Sequence, residues 1–176
     1  MHCKQNLLKW ILLGCLFTIN ITLLSSCHSK KVIVTTTNKN TSYKTTTNKT
    51  TDKIIAFTKT LIGTPYKYAG NSPSTGFDCS GFVHYVFAHF NITMPRVSKQ
   101  FEALSTNIPL QKVQPCDIIL FAGQDGNTNN ISHVGIIISG INNDIQFIHA
   151  STSKGVMISG MNTYFAPRLV KVVRVL

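Results

Sequence analysis

The sequence predicts an α+β domain with an antiparallel sheet over residues 51–176, on the order in which its periodicities occur. Apolar residues recur at helical spacing in the first part of that stretch, and short β-type segments follow one another from Asp117 onward. The two kinds of segment do not alternate, so parallel βαβ units are not indicated. At 176 residues the chain has room for one such domain, with a surplus at its front.

The elements follow in order. "DKIIAFTKTLIG" places Ile54, Ile55, Phe57, Leu61 and Ile62 at helical spacing and stops at Gly63. "GTPYKYAGNSPSTG" is a loop by its Gly, Pro, Ser and Asn content. A second helix is expected over about residues 79–90 and a third, short one over "SKQFEAL". The strands are "DIILFAG", "SHVGIIIS", "DIQFIHAS", "GVMISG" and "RLVKVVRV", with "SGINND" as a hairpin loop between the second and third.

The surplus reads as export and tethering. In residues 1–26, Lys4 and Lys9 precede an apolar stretch, residues 10–24, interrupted by Asn20. It is too short to span a bilayer comfortably and reads as a signal peptide. The closing "LSSC" resembles a bacterial lipobox, which makes Cys27 the lipidated first residue of the mature chain; "LLGC" at Cys15 is a weaker copy. The bland alternative is a plain secretory signal with a chance cysteine. Residues 27–50 then form a flexible basic Thr/Asn/Lys tether, with "TTTNK" at Thr35 and again at Thr45, too polar to offset its ordering entropy by burial. "VIV", residues 32–34, is a weak strand candidate within it.

The formal charge of +11 does not indicate nucleic acid. From Thr51 onward ten basic and six acidic residues leave a net of +4, so +7 of the total lies ahead of the domain. A basic tether beside a membrane meets anionic lipid or wall polymer.

"GFDCSGFVHYVF" carries the chemistry. Phe82, Val83, Val86, Phe87 and Phe90 form an apolar stripe that Cys79 shares. Cys79 also falls in the first helical turn, with Asp78 as N-cap, where the helix end favours thiolate and first-turn N–H groups can face an oxyanion. A thiol nucleophile needs a base. His84 and His89 lie off the Cys79 face and read as solvated positions, whereas His133 and His149 sit within strand patterns. Pairing Ser139 with Ile145 puts His149 opposite Gly135, on one sheet face with His133; a slip of one residue separates them. In that register one imidazole can face Cys79 while the other orients it.

Together "GTPYKYAG", "GFDCSGFV", "PCDIILF", "SHVGIII" and "FIHAS" resemble the NlpC-type cell-wall cysteine peptidases over nearly all of residues 51–176. The resemblance implies a compact papain-like fold with the nucleophile helix packed on the C-terminal sheet. It makes Cys79 the nucleophile, His133 the base and His149 its orienting partner, sets Tyr66 beside the oxyanion, and matches Asp78 and Ser80 to substrate contacts. Two positions depart from the family's glycines, Cys116 and Ala69.

The implied function is that of a single-domain lipoprotein murein endopeptidase, cutting a γ-D-glutamyl–diamino acid bond or a D-alanyl–diaminopimelate crosslink. It would need no metal or cofactor and act as a monomer on peptidoglycan peptides, without nucleic acid. It would be held by its lipid in the bacterial outer membrane facing the periplasm, since His28 gives no acidic retention signal after Cys27. The alternatives are a silent wall-binding lipoprotein with a Cys79–Cys116 disulfide, and an amidase or acyltransferase on the same fold. Zinc on Cys79, His133 and His149 lacks any short ligand spacing.

Overall fold

A computed structural model describes residues 41–105, 107–123, 127, 130–141 and 144–176. The expected signal peptide, lipidated Cys27 and the "VIV" strand candidate lie outside the described residues.

Helix α1, Thr41–Thr60, begins eleven residues ahead of Asp52, where the sequence pattern places it, inside the stretch expected as tether. Once the apolar half from Asp52 has nucleated, extending a helix costs less than starting one, so Thr-rich residues continue it. The loop after α1 contains two short strands, β1 (Asn71–Ser72) and β2 (Gly76–Phe77), paired antiparallel. Helix α2, Cys79–Ala88, ends two residues before Phe90, and "SKQFEA" forms a 3₁₀ helix, Ser98–Ala103. Strands β3 (Ile118–Ala122), β4 (Ile131–Ile141), β5 (Asp144–Ser151), β6 (Gly155–Gly160) and β7 (Leu169–Val173) build one antiparallel sheet in the order β6-β5-β4-β3-β7.

The sheet has a different apolar filling on each face. Toward α1 and α2 lie Ile118, Leu120, Val134, Ile136, Ile148 and Ala150, against Phe82, Val83, Val86 and Phe87 of the helix stripe. The other face carries Ile119, Phe121, Ile137, Ile145, Phe147 and Val172. A sheet covered on both sides accounts for the nearly continuous apolar run of β3, all five residues of which are buried.

Register at the β4–β5 hairpin differs at one end from the expected one. Near the turn Ser139 pairs with Gln146 and Gly140 with Ile145, not Ser139 with Ile145, and the strands run on to Ile141 and Asp144. An irregularity between Ile137 and Ser139 absorbs one residue, so Ile137 pairs with Phe147 and Ile136 with Ile148. That bulge restores the register assumed at the histidine end, where β5 passes Gly135 so closely that an added Cβ would sit 3.3 Å from His149 Cβ.

The two family-glycine positions have a conformational explanation. Ala69 (φ 57°) and Cys116 (φ 75°), with Asn91, are the non-glycine residues at positive φ among the described residues. Only glycine occupies that region without side-chain strain. Cys116 is 1 % exposed, and its thiol donates to the Thr51 carbonyl at 3.8 Å, behind the sheet's entry into β3. Asp117 beside it is buried in a two-pronged ion pair with Arg174, both contacts 2.8 Å, tying the exit of β7 to the entry of β3.

Candidate active site

Asp78 builds the start of α2 and, through it, the position of Cys79. Its Oδ1 accepts from Gly81 N at 2.6 Å as the N-cap, and its backbone N–H donates to Gly70 O at 3.1 Å. Arg96 grips the same carboxylate at 2.9 and 3.0 Å and reaches Ser80 Oγ and Gly70 O, each at 3.2 Å. Ser80 Oγ donates to Asp78 Oδ1 at 3.3 Å. Gly81 is required here, because a Cβ would fall 2.1 Å from Gly70 O. Asp78 and Ser80 therefore hold the nucleophile turn in place while lining the cleft beside it.

Cys79 is 8 % exposed. Its Sγ lies 3.5 Å from Ser98 Oγ and donates to the Ser132 carbonyl at 3.7 Å. Burial pushes its ionisation above the ordinary thiol value, outweighing the opposing hydrogen bonds from Ser98, Val134 and Ser80. Burial therefore opposes the thiolate that the helix end favours. Cys79 and Cys116 are both unpaired, so no disulfide closes the site.

His133 and His149 stand together as the register requires. His133 Nε2 and His149 Nδ1 are 2.8 Å apart, and His149 Nε2 is 2.9 Å from Ser159 Oγ on β6. The rings meet edge-on with centroids 4.9 Å apart, walled by Phe121, Phe147 and Phe165. Burial among these rings lowers the basicity of both histidines, and the neighbouring His149 lowers that of His133 further. Both are neutral at neutral pH.

The hydrogen-bond chain fixes how a base can be presented. With Nε2 of His133 engaged by His149, Nδ1 is the ring nitrogen left for another partner, and Cys79 meets the carbonyl of the adjoining Ser132. For Nδ1 to be basic the proton must sit on Nε2 and be donated to His149 Nδ1. His149 then carries its own proton on Nε2 and donates it to Ser159 Oγ. In that tautomer Ser159 Oγ ends the relay as the acceptor.

Tyr66 bridges to Phe77 in backbone pairing and lines the Cys79 cleft. Burial, and then the nearby Cys79 and Asp78 charges, raise its ionisation, so the hydroxyl stays a proton donor. The first-turn N–H of Cys79 has no carbonyl one helical turn back. Tyr66 stands in the same cavity lining as Cys79.

Two cavities share Ser132 as a lining residue. One, of ≈490 Å³, is lined by Tyr66, Asp78, Cys79, Ser80, Arg96 and Ser98 among others; the second, of ≈230 Å³, by His133, His149, Tyr164, Phe165 and Arg168 among others. Residues 63–174 match the NlpC/P60 family. This chain belongs to the NlpC/P60 family. It is 42% identical over 104 residues to the Escherichia coli protein named "Probable endopeptidase NlpC", covering 58% of this chain and 63% of that one. Over 95 residues it is 41% identical to the E. coli "Murein DD-endopeptidase MepS/Murein LD-carboxypeptidase", with 53% and 46% covered. The chain spans less than two thirds of the length of each of these curated relatives. Among solved structures, an NlpC/P60 family protein from Bacillus cereus superposes with a TM-score of 0.64 at 30% identity, over 72% of this chain and 40% of that one. The NlpC/p60 domain of the peptidoglycan hydrolase SagA gives 0.56 at 32% identity, over 70% and 97%. The α+β papain-like fold of the NlpC/P60 family is therefore the fold of this chain.

Several residues of the site escaped sequence reasoning. Arg96 and Ser98 come from "PRVSKQF", where no periodicity marks them, and Ser159 from "GVMISG". Ser159 had a weak signal, a hydroxyl one strand away from "FIHAS" and opposite Phe147 in the β5–β6 register. His89 is exposed, as expected, and stacks one face on Phe57 with centroids 4.0 Å apart, a contact that needs α1 beside α2.

Proposed function

We propose that this chain is a peptidoglycan endopeptidase working by a Cys79–His133–His149 mechanism. The observation that carries this is the His133–His149–Ser159 chain ending one residue from the carbonyl that Cys79 contacts. Its family relatives bear endopeptidase names, and another, 35% identical over 107 residues, is named "Gamma-DL-glutamyl hydrolase" in Bacillus subtilis.

The Cys79 sulfur attacks a stem-peptide carbonyl as its proton passes to His133 Nδ1, since a preformed thiolate is disfavoured by burial. The tetrahedral oxyanion takes hydrogen bonds from the Cys79 N–H and the Tyr66 hydroxyl. The His133 imidazolium, steadied by His149, protonates the leaving amine. Water then attacks the thioester with His133 as base, releasing the carboxylic acid and restoring the thiol. The bond cut lies next to a D-amino acid, at γ-D-glutamyl–diamino acid or D-alanyl–diaminopimelate. The "LSSC" segment supports lipid anchoring at Cys27; the proposed setting is the outer membrane, facing the periplasm, with the chain acting as a monomer.

Incubation of the full chain with purified sacculi tests the reading. Release of stem fragments by the parent and none by Cys79→Ala is expected. Equal release by both would exclude Cys79 as nucleophile.

A further inference from the structure

The group that protonates a leaving amine must lie within hydrogen-bond reach of it. His133 lines the ≈230 Å³ cavity and not the ≈490 Å³ one, so the smaller cavity is the leaving-group side of the cleft and the larger holds the acyl side. This assignment rests on the peptidase reading proposed above.

Arg168 is the one residue with a permanent charge among those lining the leaving-group cavity. Unlike Arg96 and Arg174, it takes part in no ion pair among the described residues. Its Nη1 donates to the Tyr164 carbonyl at 2.6 Å, and its guanidinium carbon stands 4.2 Å from the centre of the Tyr164 ring. Those contacts use one nitrogen and one face. Nε is buried without a hydrogen-bond partner, and it is the one such side-chain atom among the described residues. An arginine serving only to fasten the turn at Ala166–Arg168 would be expected to satisfy that donor, because leaving it unpaired is costly. The Nε–Nη2 edge is the edge that fits a carboxylate with two parallel hydrogen bonds. The Tyr164 ring stacked on the guanidinium is itself 48 % exposed, so this face of the cavity borders solvent.

We propose that Arg168 binds a free carboxylate on the residue that supplies the leaving amine, making the cavity beside His133 a subsite for a carboxylate-bearing diamino acid. Diaminopimelate keeps a free carboxylate when its amine is acylated; lysine has no counterpart, and an amidated diaminopimelate has lost the charge. Arg168 is therefore a specificity residue, acting on the choice of leaving residue and taking no part in proton transfer.

The test compares the full chain and Arg168→Met on three matched stem peptides, carrying diaminopimelate, its amidated form or lysine at the leaving position, with kcat/KM from product masses. The parent is expected to favour the free carboxylate by about tenfold or more, the scale of a charge-assisted pair. In Arg168→Met that ratio collapses toward one, whereas a purely structural role would lower all three rates together and keep the ratio. The parent comparison needs no variant, so poor folding of Arg168→Met cannot shield the proposal. A parent that cleaves all three equally overturns the subsite and leaves the peptidase reading standing. A parent that cleaves none overturns both.

Discussion

Ser159→Ala tests whether the relay behind His133 is functional. The substitution removes the acceptor 2.9 Å from His149 Nε2 and leaves both cavity linings untouched, since Ser159 lines neither. A neutral hydrogen bond has a net worth of about 0.5–1.5 kcal/mol. At 1.36 kcal/mol per tenfold, full transmission to the barrier lowers kcat by roughly twofold to twelvefold. KM should stay at its parental value. His149 is only 3 % exposed, so its freed N–H also costs stability, of the order of 1 kcal/mol, reduced by whatever water enters past the half-buried Ser159. Steady-state kinetics on a defined muropeptide and a thermal melt read the two effects separately. Ser159→Thr keeps the hydroxyl and should recover kcat. A fall in Tm with kcat unmoved would show that Ser159 serves packing alone and refute the tautomer reasoning.

Four further outcomes are expected. Gly81→Ala drives a Cβ to 2.1 Å from Gly70 O and 2.9 Å from Asp78 Oδ1, so it should cost at least about 2 kcal/mol in denaturant unfolding and disable the nucleophile turn. Ala69→Gly relieves the positive φ and should raise stability by roughly 0.5–1 kcal/mol after the added chain entropy; a loss would contradict the strain. His133 and His149 have lowered folded-state basicity, so the unfolded chain binds protons first. Their stabilising contribution is complete above the ordinary imidazole value of 6.5 and is lost progressively as pH falls below it, a slope that His149→Gln should weaken in melts across that range. Peptide mapping after brief alkylation should find Cys79 modified and Cys116 intact until denaturant is added, because burial and then Asp117 and Asp52 push the Cys116 thiol up to about 12.

The α+β architecture was legible because the helix stripes and β runs are long and differ in period. The pairing of His133 with His149 was legible too, through the hairpin arithmetic, although the assumed turn pairing was wrong by one residue. Bulges are set by local twist and packing, not by an apolar pattern, so nothing in "GIIISGINNDIQF" announces one at Ile138. The same limit hid Arg96, Ser98, Ser159 and Arg168. Each reaches the site across a long sequence separation, and a single polar residue in a loop or strand carries no periodicity of its own. The ionisation balance of Cys79 was legible only in part. A helix N-terminus can be read from Asp78 and Gly81, but the desolvation that opposes it comes from the whole fold.

The central claim is that Cys79 forms a covalent acyl intermediate during stem-peptide hydrolysis. Rapid acid quench of the full chain with excess muropeptide, followed by intact mass and peptide mapping, measures it. A mass increment equal to the acyl fragment, on Cys79 and absent from Cys79→Ala, is the predicted result. Product formation with no adduct on Cys79, persisting undiminished in Cys79→Ala, would contradict the account.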